Sequence, residues 1–172
     1  MTPIPVLETE RLRLRGAEMR DFEAYAAFRT DPARTAGVGG PSSRADAFDK
    51  FGEIIGHWHL RGFGRWIVAD KDTDQALGVV GLYQPEDWPE REIAWSVFGP
   101  SEGKSIAFEA ALASRDYAYR TLGWTTAISC TTPDNHRSKA LAKRMGATFD
   151  GNHTLSDGTL LEIFRHPAPE EL

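Results

Sequence analysis

At 172 residues the chain has the size of one domain, long enough to bury on the order of 70% of its unfolded surface without a disulfide or metal staple. With 41% hydrophobic and 26% charged residues it is neither disordered nor fibrous, and a formal charge of −5 argues against nucleic acid as the main partner. A single cysteine, Cys130, excludes an internal disulfide and a multi-cysteine zinc site and fits a reducing, cytoplasmic setting.

The first six residues lack the basic n-region and apolar core of a signal peptide, and no run approaches the ~20 apolar residues of a membrane span, so neither secretion nor a membrane is expected. Residues 7–15 read as a first strand, with leucine alternating with polar residues from Leu12 onward. Asp21 is positioned to cap a helix with Phe22, Tyr25, Ala26 and Phe28 on one side, ending near Asp31 because the residue before a proline disfavours helix. Glycine-rich residues 36–41 form a loop. Ser43 and Asp46 then resemble a capping box, opening a helix in which Phe48, Phe51, Ile55 and Trp58 follow the 3.6-residue period. This stripe reads as core, with Trp58 the member that could face a ligand instead. His57 and His59, two residues apart, point to different helix faces, so no metal is assigned.

Residues 65–69 and 76–83 are strand-like and joined by a polar turn, which predicts a hairpin, and a further strand spans residues 92–97. At residues 100–110 a small-residue loop feeds an alanine-rich helix. Such a junction leaves backbone N–H groups unpaired at the positive end of the helix dipole, which suits an anion, although an ordinary strand–helix turn has the same composition. The helix carries Ile106, Ala110, Ala113 and Tyr117 on one face. A strand at 125–131 follows, then a helix entered through Asn135 with Ala140, Leu141 and Met145 inward, and two short strands at 147–150 and 160–164 flank a Ser-Asp-Gly turn. This order predicts an α/β domain with a mixed sheet.

Four of these segments, in register, resemble the GNAT superfamily of acyl-CoA-dependent N-acyltransferases and its RimJ/RimL-like branch. They are Thr9-Glu10-Arg11-Leu12-Arg13-Leu14-Arg15, Gly78-Val79-Val80-Gly81-Leu82, Gly103-Lys104-Ser105-Ile106-Ala107-Phe108-Glu109-Ala110, and Asn135-His136-Arg137-Ser138 with Leu141 and Met145-Gly146-Ala147. The resemblance implies a single domain over residues 1–172 with its core at about 7–165. It further implies a mostly antiparallel sheet of about seven strands, splayed in the middle and flanked by about four helices. The family's phosphate loop begins with Arg or Gln and ends with Gly or Ala; here those positions are Pro100 and Ser105, two departures expected to loosen the loop rather than abolish binding.

By the same resemblance, acetyl-CoA is the cosubstrate and lies between the strand ending at Val97 and the strand ending near Thr131. Val97 would meet the pantetheine, and the N–H groups of Gly103, Lys104, Ser105, Ile106 and Ala107 the pyrophosphate. Asn135 would orient the cofactor or act as a helix cap, and both uses can coexist. Ser138 would touch the cofactor and protonate the leaving thiolate, because the position of the tyrosine found in many relatives is Ala142. Glu92 stands as base or water relay, or as a solvated edge carboxylate. Glu109 reads as structural and Glu162 as a further base candidate. Cys130, in mid-strand, reads as a core residue rather than a nucleophile. The expected acceptor is a primary amine on a small molecule or a protein N-terminus, with no nucleic acid, membrane or metal and with a homodimer as the branch's common state. Two other readings are a relative that binds acyl-CoA without catalysis, and an interaction module exposing Trp58, Trp66 and Trp88.

Overall fold

The computed structural model describes residues 3–172; Met1 and Thr2, part of the stretch read for a leader, lie outside the described residues. The described strands are β1 (Leu7–Glu8), β2 (Leu12–Arg15), β3 (Arg65–Asp70), β4 (Ala76–Tyr83), β5 (Glu92–Val97), β6 (Ile128–Thr131), β7 (Thr148–Thr154) and β8 (Leu160–Arg165). The helices are α1 (Phe22–Thr30), α2 (Pro32–Thr35), α3 (Arg44–Arg61), α4 (Ile106–Arg120) and α5 (His136–Arg144). All the strands join one sheet in the order β1-β2-β3-β4-β5-β6-β8-β7, antiparallel everywhere except between β5 and β6. No described helix is long and apolar enough to cross a membrane.

Both faces of the central strands are covered, which is why Trp66 to Ala69 are all buried instead of alternating. Trp66 and Val68 face α4 with Leu12, Leu14, Val80, Leu82 and Ile93, while Ile67 and Val79 face α1 and α3 with Tyr25, Phe51 and Ile54. The alanines of α4 (Ala110, Ala111 and Ala118) let that helix lie close to the sheet.

Several sequence expectations change. The first strand is two, because Thr9 and Arg11 turn the chain: both hydrogen-bond the carboxylate of Glu109, about a hundred residues away on α4. The sheet therefore has eight strands rather than about seven. Asp21 makes no side-chain cap on α1; its carboxylate accepts the Glu18 N–H and is buried in a two-pronged pair with Arg15. In α3 the inward stripe is Ala47, Phe51, Ile54 and Trp58, leaving Phe48 exposed, and Ser43 caps the helix as expected. On α4 the buried face is turned towards Ala111, Ser114 and Ala118, and on α5 Ala140 is exposed while Ala142 is buried. Trp58 and Trp66 are core residues, packed edge to face at 4.8 Å and each donating its indole N–H to a backbone carbonyl. The exposed tryptophan surface of an interaction module is absent for those two.

Candidate active site

β5 and β6 share a single ladder pair, Glu92 with Ile128, and then separate. Side chains stand in for the missing ladder at the fork. The Cys130 N–H donates to Glu92 Oε1 at 2.7 Å, and Ser129 Oγ donates to the Ile93 carbonyl at 2.6 Å. His166 donates Nε2–H to the same Ser129 oxygen while its Nδ1 faces Arg115, an assignment that follows from its partners; burial and then Arg115 lower its pKa to about 3.

Above the fork lies a cleft of about 660 Å³ whose walls include Trp95 and Val97 of β5, the loop at residues 101–107 and the start of α5. Val97, Gly103, Ser105, Ile106, Ala107, Asn135 and Ser138 are thus brought together. Lys104 does not line the cleft; its carbonyl accepts from Arg11. None of the N–H groups from residue 103 through residue 107 has a hydrogen-bond partner among the described residues, so a run of donors opens at the N-terminus of the fifteen-residue α4. That is the geometry of an anion cradle.

The two departures in this loop have different consequences. Pro100 sits in a single 3-10 turn (Gly99–Ser101), a position that needs no N–H. Ser105 adopts a left-handed conformation (φ 59°, ψ 20°), which glycine enters freely and serine does not, and Arg144 holds it by donating to Oγ at 3.1 Å. Between them Glu102 accepts from both Arg34 of α2 and Arg137 of α5, so one carboxylate joins the two sides of the cleft mouth.

Asn135 caps α5 by accepting the Ser138 N–H at 3.1 Å and reaches the Gly37 carbonyl at 3.4 Å. A Cβ on Gly37 would stand 2.2 Å from Asn135 Nδ2, so a larger residue there would displace the Asn135 side chain from its present place. Ser138 Oγ accepts the Trp95 indole N–H at 3.3 Å, which leaves the serine's own O–H free to turn into the cleft.

Glu92 is buried and does not line this cleft. By strand alternation it shares the α1–α3 face with Ala94 and Ser96, opposite Trp95 and Val97. Its second carboxylate oxygen accepts from the Trp88 indole, so both oxygens are engaged. Desolvation raises its pKa to about 7, against the opposing pull of those two hydrogen bonds. It is therefore a buried carboxyl and not a solvated edge group. Glu109 pins β1 and β2 to α4, and Glu162 pairs with Lys139 at 2.7 Å. Cys130 is half-buried, and desolvation together with Glu92 and Glu90 pushes its thiol pKa far up, opposite to what a thiolate nucleophile needs. No group of three or more metal-ligating side chains occurs among the described residues.

Residues 11–148 match the family described as acetyltransferase (GNAT) domain. The chain belongs to that family. A crystal structure of an acetyltransferase from Agrobacterium tumefaciens is similar at 36% identity and a TM-score of 0.87, covering 97% of this chain and 96% of that one. The N-acetyltransferase YoaA of Bacillus subtilis is 26% identical over 150 residues, 86% of this chain and 85% of its own. RimL, a ribosomal L7/L12 alpha-N-protein acetyltransferase solved in complex with coenzyme A, shares the fold at a TM-score of 0.75 and 16% identity, covering 94% of this chain and 97% of its own.

The cleft of this GNAT acetyltransferase also holds contacts that its motifs did not announce. Arg137 lies inside a matched segment and Glu102 just before one, but their pairing with each other and with Arg34 depends on the fold. Trp95 gave only a strand signal. Its role beside Ser138 could not be read before β5 and α5 were brought together.

Proposed function

We propose that this acetyltransferase moves an acetyl group from acetyl-CoA to a primary amine by direct attack in a ternary complex. The observation that carries the reading is the run of unpaired N–H groups at residues 103–107, at the mouth of a cleft formed where β5 and β6 part. Those donors and the positive end of α4 fit a pyrophosphate, and the free backbone edge of β5 near Val97 fits an amide-bearing arm. The cosubstrate supplies the activated acyl carbon.

Ser138 is the proposed proton donor to the leaving thiolate. Trp95 occupies a lone pair of its oxygen, so the hydroxyl proton is free to point inward. Glu92, with a pKa near neutrality, is the proposed base, acting on the acceptor amine from the opposite face of the sheet directly or through water. Either role needs the carboxylate to release one of its present partners, Trp88 or Cys130. Asn135 fixes the first turn of α5 and hence the Ser138 backbone. The acceptor is a small-molecule amine or a protein N-terminus, and the single cysteine and lack of an apolar span suit a cytoplasmic enzyme.

Calorimetry with acetyl-CoA followed by thiol release across an amine and N-terminal-peptide panel tests the reading. Absence of binding at millimolar acetyl-CoA overturns it. Ser138→Ala is expected to lower kcat by 10- to 100-fold, at or below the usual range for a general acid, with little change in acetyl-CoA affinity. An unchanged kcat at saturation removes Ser138 from the mechanism.

A further inference from the structure

The α1–α3 face of the sheet carries a guanidinium that makes no side-chain hydrogen bond among the described residues. Arg65, at the start of β3, has a side chain only 18% exposed, yet none of its nitrogens makes a hydrogen bond among the described residues, and its Nε is buried without a partner. Its nearest carboxylate oxygen, Glu53 Oε1, stands 3.7 Å from Nη2 and already accepts from the Tyr83 hydroxyl at 3.1 Å. Buried guanidinium donors are normally satisfied, and an arginine with a buried Nε and no side-chain hydrogen bond is unusual. The plane of that fork is set by stacking on Tyr83, 4.2 Å from the ring centre.

The sheet register shows where the fork faces. Arg65 pairs with Gly81, and Gly81 pairs with Ala94, so these residues form one row across β3, β4 and β5 on the same face. Gly81 has no side chain and Ala94 only a methyl group, which leaves a low floor between two taller rows. One row is Ile67, Val79 and Ser96; the other ends in Tyr83 and Glu92. A Cβ on Gly81 would meet the Trp66 ring at 2.7 Å and Arg65 and Gly64 backbone atoms at 2.8 Å, so a side chain there would displace β3. The trough has a cation at one end and the Glu92 carboxyl beside its β5 end, next to the fork that forms the cleft. A second buried guanidinium, Arg29, lies on the same side of the sheet with its Nε also unpartnered, and Tyr25 sits within the field of both.

We infer that Arg65 binds a carboxylate of the acceptor, so that the acceptor is a small amine carrying a carboxylate close to its nitrogen, the amino-acid class. This rests on the acetyltransferase reading of the cleft. A carboxylate matches the planar fork in two-point fashion, and the row from Arg65 to Ala94 leads to the Glu92 end of β5, where its amine would lie. Net charge alone favours a cationic or amine acceptor; a guanidinium with only a 3.7 Å contact to Glu53 and no hydrogen bond adds a carboxylate to that amine.

The test compares amino acids with their decarboxylated counterparts, such as phenylalanine with phenethylamine and glutamate with γ-aminobutyrate, in acetyl-CoA-dependent thiol release. The wild-type enzyme is expected to prefer the α-amino acid in at least one such pair by roughly 10- to 100-fold in kcat/KM, the range of a charge-assisted two-point contact. Arg65→Gln should reduce that preference to within about twofold by raising KM, with acetyl-CoA affinity unchanged, and Arg65→Lys should restore only part of it. Equal use of acids and amines by the wild type overturns the inference, as does a preference that survives in Arg65→Gln or a peptide N-terminus used better than every free amino acid. The wild-type comparison decides even if the variants fail to fold. Titrating the same pairs into the protein without acetyl-CoA separates the two readings: selective binding of the acid supports Arg65 whether or not acetyl-CoA binds, whereas loss of acetyl-CoA binding alone defeats the acetyltransferase reading.

Discussion

Replacing Glu92 by glutamine should change how stability depends on pH. Its carboxyl is lifted from an ordinary 4.5 to about 7 by full desolvation, which corresponds to roughly 3 kcal/mol of preference for the neutral form in the folded state. Below about pH 4.5 the group is neutral both folded and unfolded and contributes no difference. Between 4.5 and 7 the unfolded chain gives up the proton while the folded one keeps it, so this contribution to stability is lost as pH rises through that window and levels off above it. His166 acts oppositely: its depressed pKa adds stability as pH rises through the acid range until the unfolded histidine is neutral near 6.5. The curve for Glu92→Gln minus wild type therefore isolates Glu92. Glutamine can accept the Cys130 N–H but then presents its amide N–H₂ to the Trp88 donor, a loss of about 1–2 kcal/mol at every pH. Urea denaturation at pH 5 and pH 8 should show the variant gaining roughly 2–3 kcal/mol relative to wild type between the two. A difference that does not move with pH refutes the burial argument. The pH–rate profile provides a separate reading: loss of an acidic limb near 7 in the variant supports a base, and its retention assigns Glu92 to holding the fork alone.

Three further outcomes follow from the cleft. Glu102→Gln releases Arg34 and Arg137, and because exposed ion pairs are worth only ~0.2–1 kcal/mol, acetyl-CoA should bind roughly 2- to 5-fold tighter by calorimetry; weaker binding would show that Glu102 orders the loop instead. Ser105→Gly should raise thermal stability by about 0.5–1 kcal/mol through relief of the left-handed backbone, while Ser105→Val should lower it by about 2 kcal/mol; the reverse order would locate the strain elsewhere. Gly78→Ala places a Cβ 2.5 Å from the Ser96 carbonyl oxygen and 3.1 Å from the Val97 Cα, so it should cost about 1–3 kcal/mol and weaken acetyl-CoA binding together, measured by melting and titration. Full affinity in a folded Gly78→Ala protein would show that the β5 edge does not contact the cosubstrate.

The parts of this structure that were legible are the ones whose causes are local. The hairpin of β3 and β4 follows from two apolar runs around an aspartate-rich turn, and Ser43 and Asn135 cap helices with partners three residues away. The donor run at residues 103–107 was legible for the same reason, since a loop feeding a helix leaves N–H groups free wherever it occurs. What was missed depends on distant partners. The break between β1 and β2 is made by Glu109, and the burial of Asp21 by Arg15, neither of which has a periodic signature. Trp58 and Trp66 looked like surface candidates because aromatic content does not reveal a packing partner, and they proved to be partners of each other. The open fork of Arg65 is a statement about what is absent around it, and no stretch of sequence can carry that.

The separation of β5 and β6 also bears on association. An unpaired strand edge on the outside of a protein invites another chain to add a strand, and proteins guard such edges with charge, bulges or covering elements. Here two free edges face one another across the cleft, closed below by the Glu92–Cys130 contact, with the Asn135–Gly37 contact in the cleft wall. A folded partner cannot reach them, and an extended ligand one chain wide can. The same break in the sheet that exposes backbone hydrogen-bonding groups also confines them to a ligand as slim as a strand, so augmentation by a small molecule is open where augmentation by another protein is not.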